Sequence, residues 1–430
     1  MVRAGWQPPM THRRRIDTYP RASPSIIVWT AISYPCISRH VISATHTLDR
    51  SVNALTERLQ QPVRDLLRLL GELGGDLATL LRPGPRLVDQ AEAICSVLLA
   101  VALAQLVGAK NVGWAAFSGY MVIRSHFSAS LQRALLRVLG TLTGAIAGYV
   151  VALKVAGHPL WACVALAVVV TCTMYRVLVS RRTYAWLFTG LTFLMVVVET
   201  IGPHELPPRA FALSRVTEIL VGTTASLLVS YLSAKTLRRW MPGQPPRPAP
   251  SYRGWQPAAA RHAAQAGIAV ACVPLFTAWI ATPTLSQAGV TVMAVMAVPL
   301  ASLSASSRTI STRMVHRFVG CSLGGLLAMA ILLASHHHAA LITLGLCLGV
   351  AIGRHIENGP HAYGYVGVQF ALAFLVVLVP DDYANASFAP GVERLAGILA
   401  GFVLLIVIRL VFRALHGQHP PAAPTPKDRR

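Results

Sequence analysis

With 430 residues, 54% of them hydrophobic and only 13% charged, the chain carries about half the charged side chains of an ordinary soluble domain. Its net charge of +22, from 38 Lys and Arg against 16 Asp and Glu, does not mark a nucleic-acid binder. Twelve of the 38 lie before residue 87 and most of the others fall in short turns between apolar runs, not on one face, which excludes nucleic acid as a partner and fits the positive-inside pattern. Several apolar runs reach roughly 18 to 22 residues, the length a helix needs to cross the hydrocarbon core. The fold class is all-α polytopic, with the lipid bilayer as its surroundings.

Residues 1–47 are basic, contain prolines and lack helical period, so they are expected to be disordered or an overextended start. From 48 to 85, Val52, Leu55, Leu59, Val63, Leu66 and Leu70 recur at three and four, with Arg50, Arg58, Arg64 and Arg68 between them. That pattern predicts an amphipathic cytoplasmic helix region lying on the membrane surface or against the bundle. Twelve spans follow, near 88–108, 112–128, 135–155, 158–178, 183–201 and 209–235, then 261–281, 285–305, 315–335, 338–354, 360–380 and 391–413. The second span of each set is the weakest. Pro242, Pro245, Pro246, Pro248, Pro250 and Pro257 fill the segment 239–258. It reads as a linker between two six-helix membrane regions, 86–238 and 259–415. Residues 416–430 read as a disordered basic tail.

Counting charges orients the spans. With the amino terminus inside, sixteen basic residues fall in cytoplasmic turns, among them Arg124, Arg176, Arg238, Arg308 and Arg354, and five on the other side. Both termini are therefore expected in the cytoplasm, which requires an even number of spans.

The two regions look like copies. Arg133-x-x-x-Arg137-x-x-Gly140-x-x-x-Gly144 in the third span matches Arg313-x-x-x-Arg317-x-x-Gly320-x-x-x-Gly324, and Arg215-to-Gly222 in the sixth matches Arg394-to-Gly401. Two motifs at nearly one offset predict a duplication, and an even repeat gives both copies one orientation. Within the motif the arginines and glycines share one helical stripe, so a neighbouring helix can approach closely. The same arginines read as a topology signal or as anion ligands.

The stretch Gly113-Trp114-Ala115 through Arg124, followed by Arg137-Val-Leu-Gly140-Thr-Leu-Thr-Gly144-Ala145, resembles the fusaric acid resistance / aromatic acid exporter family. The resemblance covers roughly residues 86–415. It implies a bacterial inner-membrane permease that exports aromatic carboxylic acids, driven by protons, and that works with a membrane-fusion protein and an outer-membrane channel. The larger exporters carry a long soluble domain between their halves, and this chain has only the short linker there. Assembly as a homo-oligomer is left open.

A carboxylate exporter needs cations within its spans, where ionisable groups are expensive. Arg215 and Arg394, a repeat pair facing the expected pseudo-axis, are candidates to grip an anion from both sides, with Arg137 and Arg317 behind them. Glu218, one turn after Arg215, is the candidate for proton coupling; the alternative is an ion pair that only steadies the helix. Trp114, Tyr184 and Tyr363 are candidate substrate walls, the last two matched by the repeat offset; an interfacial aromatic belt explains them equally. Asp89 and Glu92 read as caps of the first span. The seven cysteines show no CxxC, and no Walker loop, HExxH or GxSxG occurs, so no enzyme, cofactor or metal is expected. Besides the proton-coupled exporter of small organic anions, a passive anion channel and a non-transporting envelope scaffold fit this sequence.

Overall fold

The computed structural model describes residues 64–155, 158–201, 207–243, 252, 254–305, 308–379 and 388–416. The segment 1–47, residues 48–63 of the expected amphipathic region, nine of the twenty residues of the Pro-rich linker and nearly all of the basic tail lie outside them. All regular structure among the described residues is helical: α1 (64–77), α2 (Pro85–Leu106), α3 (Val112–Val122), α4 (Phe127–Val155), α5 (Pro159–Val179), α6 (Thr183–Ile201), α7 (Pro208–Lys235), α8 (Leu237–Trp240), α9 (Pro257–Ala271), α10 (Thr282–Met296), α11 (Leu300–Ala305), α12 (Arg308–Ser335), α13 (Ala339–Glu357), α14 (Gly364–Leu378) and α15 (Ala389–His416). Four of them, α2, α5, α7 and α9, open on a proline, whose missing N–H is not needed in a first turn.

Where the sequence predicts twelve spans, eight helices among the described residues are long and apolar enough to cross a membrane: α2, α4, α5, α6, α7, α12, α13 and α15. The other four segments give shorter helices. α3 has 11 residues, about 16 Å at 1.5 Å per residue and roughly half the hydrocarbon thickness. α9, α10 and α14 have 15 each. Proline explains two of these stops. Pro274 cannot donate to Val270, and the chain tightens into a 3-10 turn over Val273–Phe276. α10 stops at Met296, just ahead of Val298 and Pro299.

Side-chain distribution on the long helices is that of a protein in lipid. On α4 the exposed stripe is Leu135, Leu139, Ile146, Val150 and Leu153, and the inward stripe is Arg137, Gly140, Thr141, Gly144 and Gly148. Apolar residues face outward and small or polar ones face protein, as expected where helix association comes from close packing and hydrogen bonds.

Those glycines set the packing. Gly140 and Gly144 lie against the Ala185 and Thr189 carbonyls of α6; Gly320 and Gly324 lie against the Val366 and Phe370 carbonyls of α14. Gly222 of α7 meets Ala115 of α3, and Gly401 of α15 meets Ala288 of α10, in the same way. Contacts between the two sets of helices are exchanged: α5 packs on α9, α13 packs on α2, and α6 meets α10. The turn between α12 and α13 is built with His336 and His337 at positive φ, 45° and 64°.

Neighbouring glycines on α12 separate packing from helix propensity. A Cβ at Gly324 would run into the Phe370 carbonyl, whereas one at Gly325 would meet nothing within 4 Å. Gly324→Ala is expected to destabilise by about 1–3 kcal/mol and Gly325→Ala to be neutral or stabilising, read as thermal unfolding of detergent-solubilised protein.

Candidate functional site

Because α4 and α6 approach so closely at Gly140 and Gly144, Arg137 on the same stripe is sealed between helices, with 0% of its surface exposed. Its Nη1 donates to Tyr184 Oη at 3.1 Å, and its Nη2 donates to Ser118 Oγ of α3 at 3.0 Å. The guanidinium lies 4.0 Å from the Phe188 ring centroid, and Arg133, one turn earlier, stacks on Tyr184 at 4.3 Å. Arg317 of α12 is held alike: Nη2 donates to Thr291 Oγ1 of α10 at 3.1 Å, Nη1 to Gln369 Oε1 of α14 at 2.7 Å, and Arg313 stacks on Tyr365 at 4.2 Å.

This geometry corrects one expectation. The residue in the place of Tyr184 is Tyr365, not Tyr363. The turn from α13 to α14 is longer than that from α5 to α6, so the offset that holds at the third and sixth helices fails at the fifth. Tyr363 instead stacks on His361 and donates from Oη to the Glu72 carbonyl at 3.2 Å, away from Arg317.

On α7, Arg215 Nη2 pairs with Glu218 Oε2 at 2.8 Å, and its guanidinium stands over Trp114 at 4.8 Å and Phe211 at 5.1 Å. Ser214 Oγ donates to the other Glu218 oxygen at 2.5 Å. On α15, Arg394 is also buried, and its Nη1 reaches Gln287 Oε1 of α10 at 3.5 Å. The expected two-sided grip by Arg215 and Arg394 is not what the helices provide. α7 packs on α2, α3 and α4, while α15 packs on α9, α10, α12 and α14. The two arginines sit in separate clusters, one with Trp114, Arg137, Tyr184 and Glu218, the other with Arg317.

A third assembly is absent from the sequence reading. At one end of the bundle, Glu357, the last residue of α13, takes Arg124 Nη1 on Oε1 at 2.9 Å and Arg354 Nη1 on Oε2 at 3.0 Å. Tyr120 Oη donates to Oε2 at 2.9 Å, and Arg354 Nη2 donates to the Tyr120 carbonyl at 2.6 Å. Beside it, Asp89 accepts from Ser125 and Asn358, both at 2.8 Å, and from Arg238. Glu92 accepts from Arg238 Nε at 2.7 Å and from Ser233. Asp89 and Glu92 thus bind side chains of other helices instead of capping α2. Burial works against the charge on Arg238, yet Glu92 and Asp89 hold its pKa above the ordinary guanidinium value. A cleft of about 210 Å³, counted with its open mouth, is lined by Asp89, Glu92, Arg124, Arg354 and Asn358. Nearby, Asp76 takes both Nη atoms of Arg86, and Arg86 Nη2 also donates to the His355 carbonyl at 2.5 Å. The end of α1 is thus tied to α2 and α13 through Asp76.

This seam ties α2, α3 and α8 to α13. The available signal was the scarcity of acids, since four of the 16 in the chain meet here. Removing one partner of a buried ion pair leaves a stranded charge. Glu357→Gln and Arg354→Gln are each expected to cost about 3 kcal/mol, and the double variant much less than their sum, in a double-mutant cycle read by thermal unfolding.

The fusaric acid resistance protein-like family model matches residues 99–229 and 296–408, together more than half of the chain. The chain is similar to the p-hydroxybenzoic acid efflux pump subunit AaeB of Escherichia fergusonii, 34% identical over 102 residues, which is 23% of this chain and 15% of that protein. The proteins of that name from Escherichia coli O1:K1 and Shigella boydii serotype 18 are 33% identical over the same length, again covering 23% and 15%. No solved structure matches the chain. The arginine-and-glycine elements that carry the resemblance, on α4, α7, α12 and α15, all fall inside the matched stretches, and this chain belongs to the fusaric acid resistance protein-like family.

Proposed function

We propose that this chain is an inner-membrane carrier that exports small organic anions of the aromatic carboxylic acid class, driven by protons, and that it is built from two six-helix repeats with both termini in the cytoplasm. The observation that carries this reading is the state of Arg137, Arg317 and Arg394. All three are buried within helices, their hydrogen-bond partners are neutral, and among the described residues no carboxylate lies within ion-pair distance of them. A cation held in low dielectric without a counter-charge is costly, and a passing carboxylate relieves that cost. An aromatic ring beside the Arg317 cluster, Tyr365 stacked on Arg313 at 4.2 Å, suits a ligand with an aryl body.

The repeat reading is supported by the paired glycine contacts and the exchanged packing of α5 on α9 and α13 on α2. Glu218, 0% exposed within α7, is the group proposed to exchange the coupling proton, releasing Arg215 when neutral. The charged seam around Glu357 closes the cytoplasmic end in this state. Since the similar proteins are named as pump subunits, a membrane-fusion protein and an outer-membrane channel are the proposed partners.

Proteoliposomes loaded with 4-hydroxybenzoate test the proposal. An imposed pH difference should drive the anion against its own gradient, and Arg317→Gln with Arg394→Gln should reduce that flux to the level of empty vesicles. Glu218→Gln should keep downhill exchange and lose the pH-driven component. Flux that only follows the anion gradient would assign a passive channel; no flux above empty vesicles would contradict transport.

A further inference from the structure

The two arginine clusters occupy equivalent places in their helix sets, and they differ in one respect. Arg137 donates to Ser118 at 3.0 Å and Arg317 to Thr291 at 3.1 Å. Gly222 rests on Ala115 and Gly401 on Ala288. These contacts fix the register, so Arg215 matches Arg394, Trp114 matches Gln287, and Glu218 matches Gly397. In the first cluster Glu218 neutralises Arg215 at 2.8 Å. In the second nothing stands for it: a side chain at Gly397 would meet Gln287 Cβ at 2.5 Å and the Thr284 carbonyl at 2.6 Å. The first cluster therefore holds a carboxylate beside Arg215, and the second holds none beside Arg317 and Arg394.

Resting on the anion-export reading above, the geometry points to an unequal pair of sites. The cluster of Arg317, Arg394, Gln287, Thr291 and Gln369 takes the substrate carboxylate, and Glu218 is a built-in carboxylate filling the equivalent place in the first cluster. Gln287 holds Arg394 by one long contact of 3.5 Å, which an anionic acceptor displaces because charge-assisted bonds are shorter and stronger. The Nε atoms of Arg317 and Arg394 are buried with no hydrogen-bond partner, and they are further donors for the same ligand. An aryl carboxylate thus binds once per chain, on the side where the protein supplies no acid of its own.

Equilibrium binding of radiolabelled 4-hydroxybenzoate to the full chain in nanodiscs tests this. Wild type is expected to bind one molecule per chain, and Arg394→Gln to weaken that binding by about tenfold or more. Glu218→Ala should bind two, with the second lost on adding Arg215→Gln. A reciprocal variant covers the case in which Glu218→Ala does not fold. Gln287→Glu gives the second cluster its own acid, so it should abolish binding while raising the unfolding temperature. Absence of binding to wild type would overturn the export reading itself. Binding of one molecule that Glu218→Ala leaves at one, or that Gln287→Glu leaves intact, would overturn the inequality of the sites alone.

Discussion

Four guanidiniums buried between apolar helices, on Arg137, Arg215, Arg317 and Arg394, are the constraint on which the rest of this architecture depends. A charge that cannot reach water must be hydrogen-bonded, paired or moved to a wetter place. Here the helices are brought to the arginines. Glycines one and two turns along α4 and α12 remove the side chains that would hold α6 and α14 away, and the hydroxyl or amide of the arriving helix then reaches the guanidinium. Packing and polar satisfaction are one arrangement in this fold, since lipid provides little drive for apolar surfaces to associate.

The two ends of the arrangement are treated differently. Deep in the bundle Arg137, Arg317 and Arg394 meet neutral oxygens, while Arg215 is paired with Glu218. At the seam of α2, α3, α8 and α13 the arginines meet carboxylates: Arg124 and Arg354 on Glu357, Arg238 on Asp89 and Glu92. That end is electrostatically closed. The proposed carrier uses such a division, with one group of cations holding a conformation and another kept for cargo. Family membership makes transport the natural context, and the carboxylate-free cluster narrows the class of cargo proposed.

Much of this was legible in the sequence. The stripe of Arg137, Gly140 and Gly144, the like-spaced stripe of Arg317, Gly320 and Gly324, and the sixth-helix pair Arg215 and Arg394 were all readable because a helix writes its buried face into residues three and four apart. Three features were not legible. Helix length failed at α3, α9, α10 and α14; for α9 and α10, composition counts apolar residues but not where the backbone turns at Pro274 or before Pro299. The fifth-helix register failed because a longer turn after α13 shifts it, so that the ring stacked on Arg313 is Tyr365 and not Tyr363. The seam failed because its partners, such as Arg124 and Glu357, lie 233 residues apart, and no local period connects them. Sequence pattern reports faces of single helices; which faces meet is decided by tertiary packing.

The central claim, that buried arginines without carboxylates form the cargo site, is tested most directly by an experimental structure of the chain in nanodiscs with 4-iodobenzoate. The geometry of the second cluster predicts density for the carboxylate against Arg317 and Arg394, with Gln287 displaced and the Arg215–Glu218 pair intact. Density at the acid-rich cleft of Asp89 and Glu92, or an unliganded second cluster at saturating iodobenzoate, would contradict it.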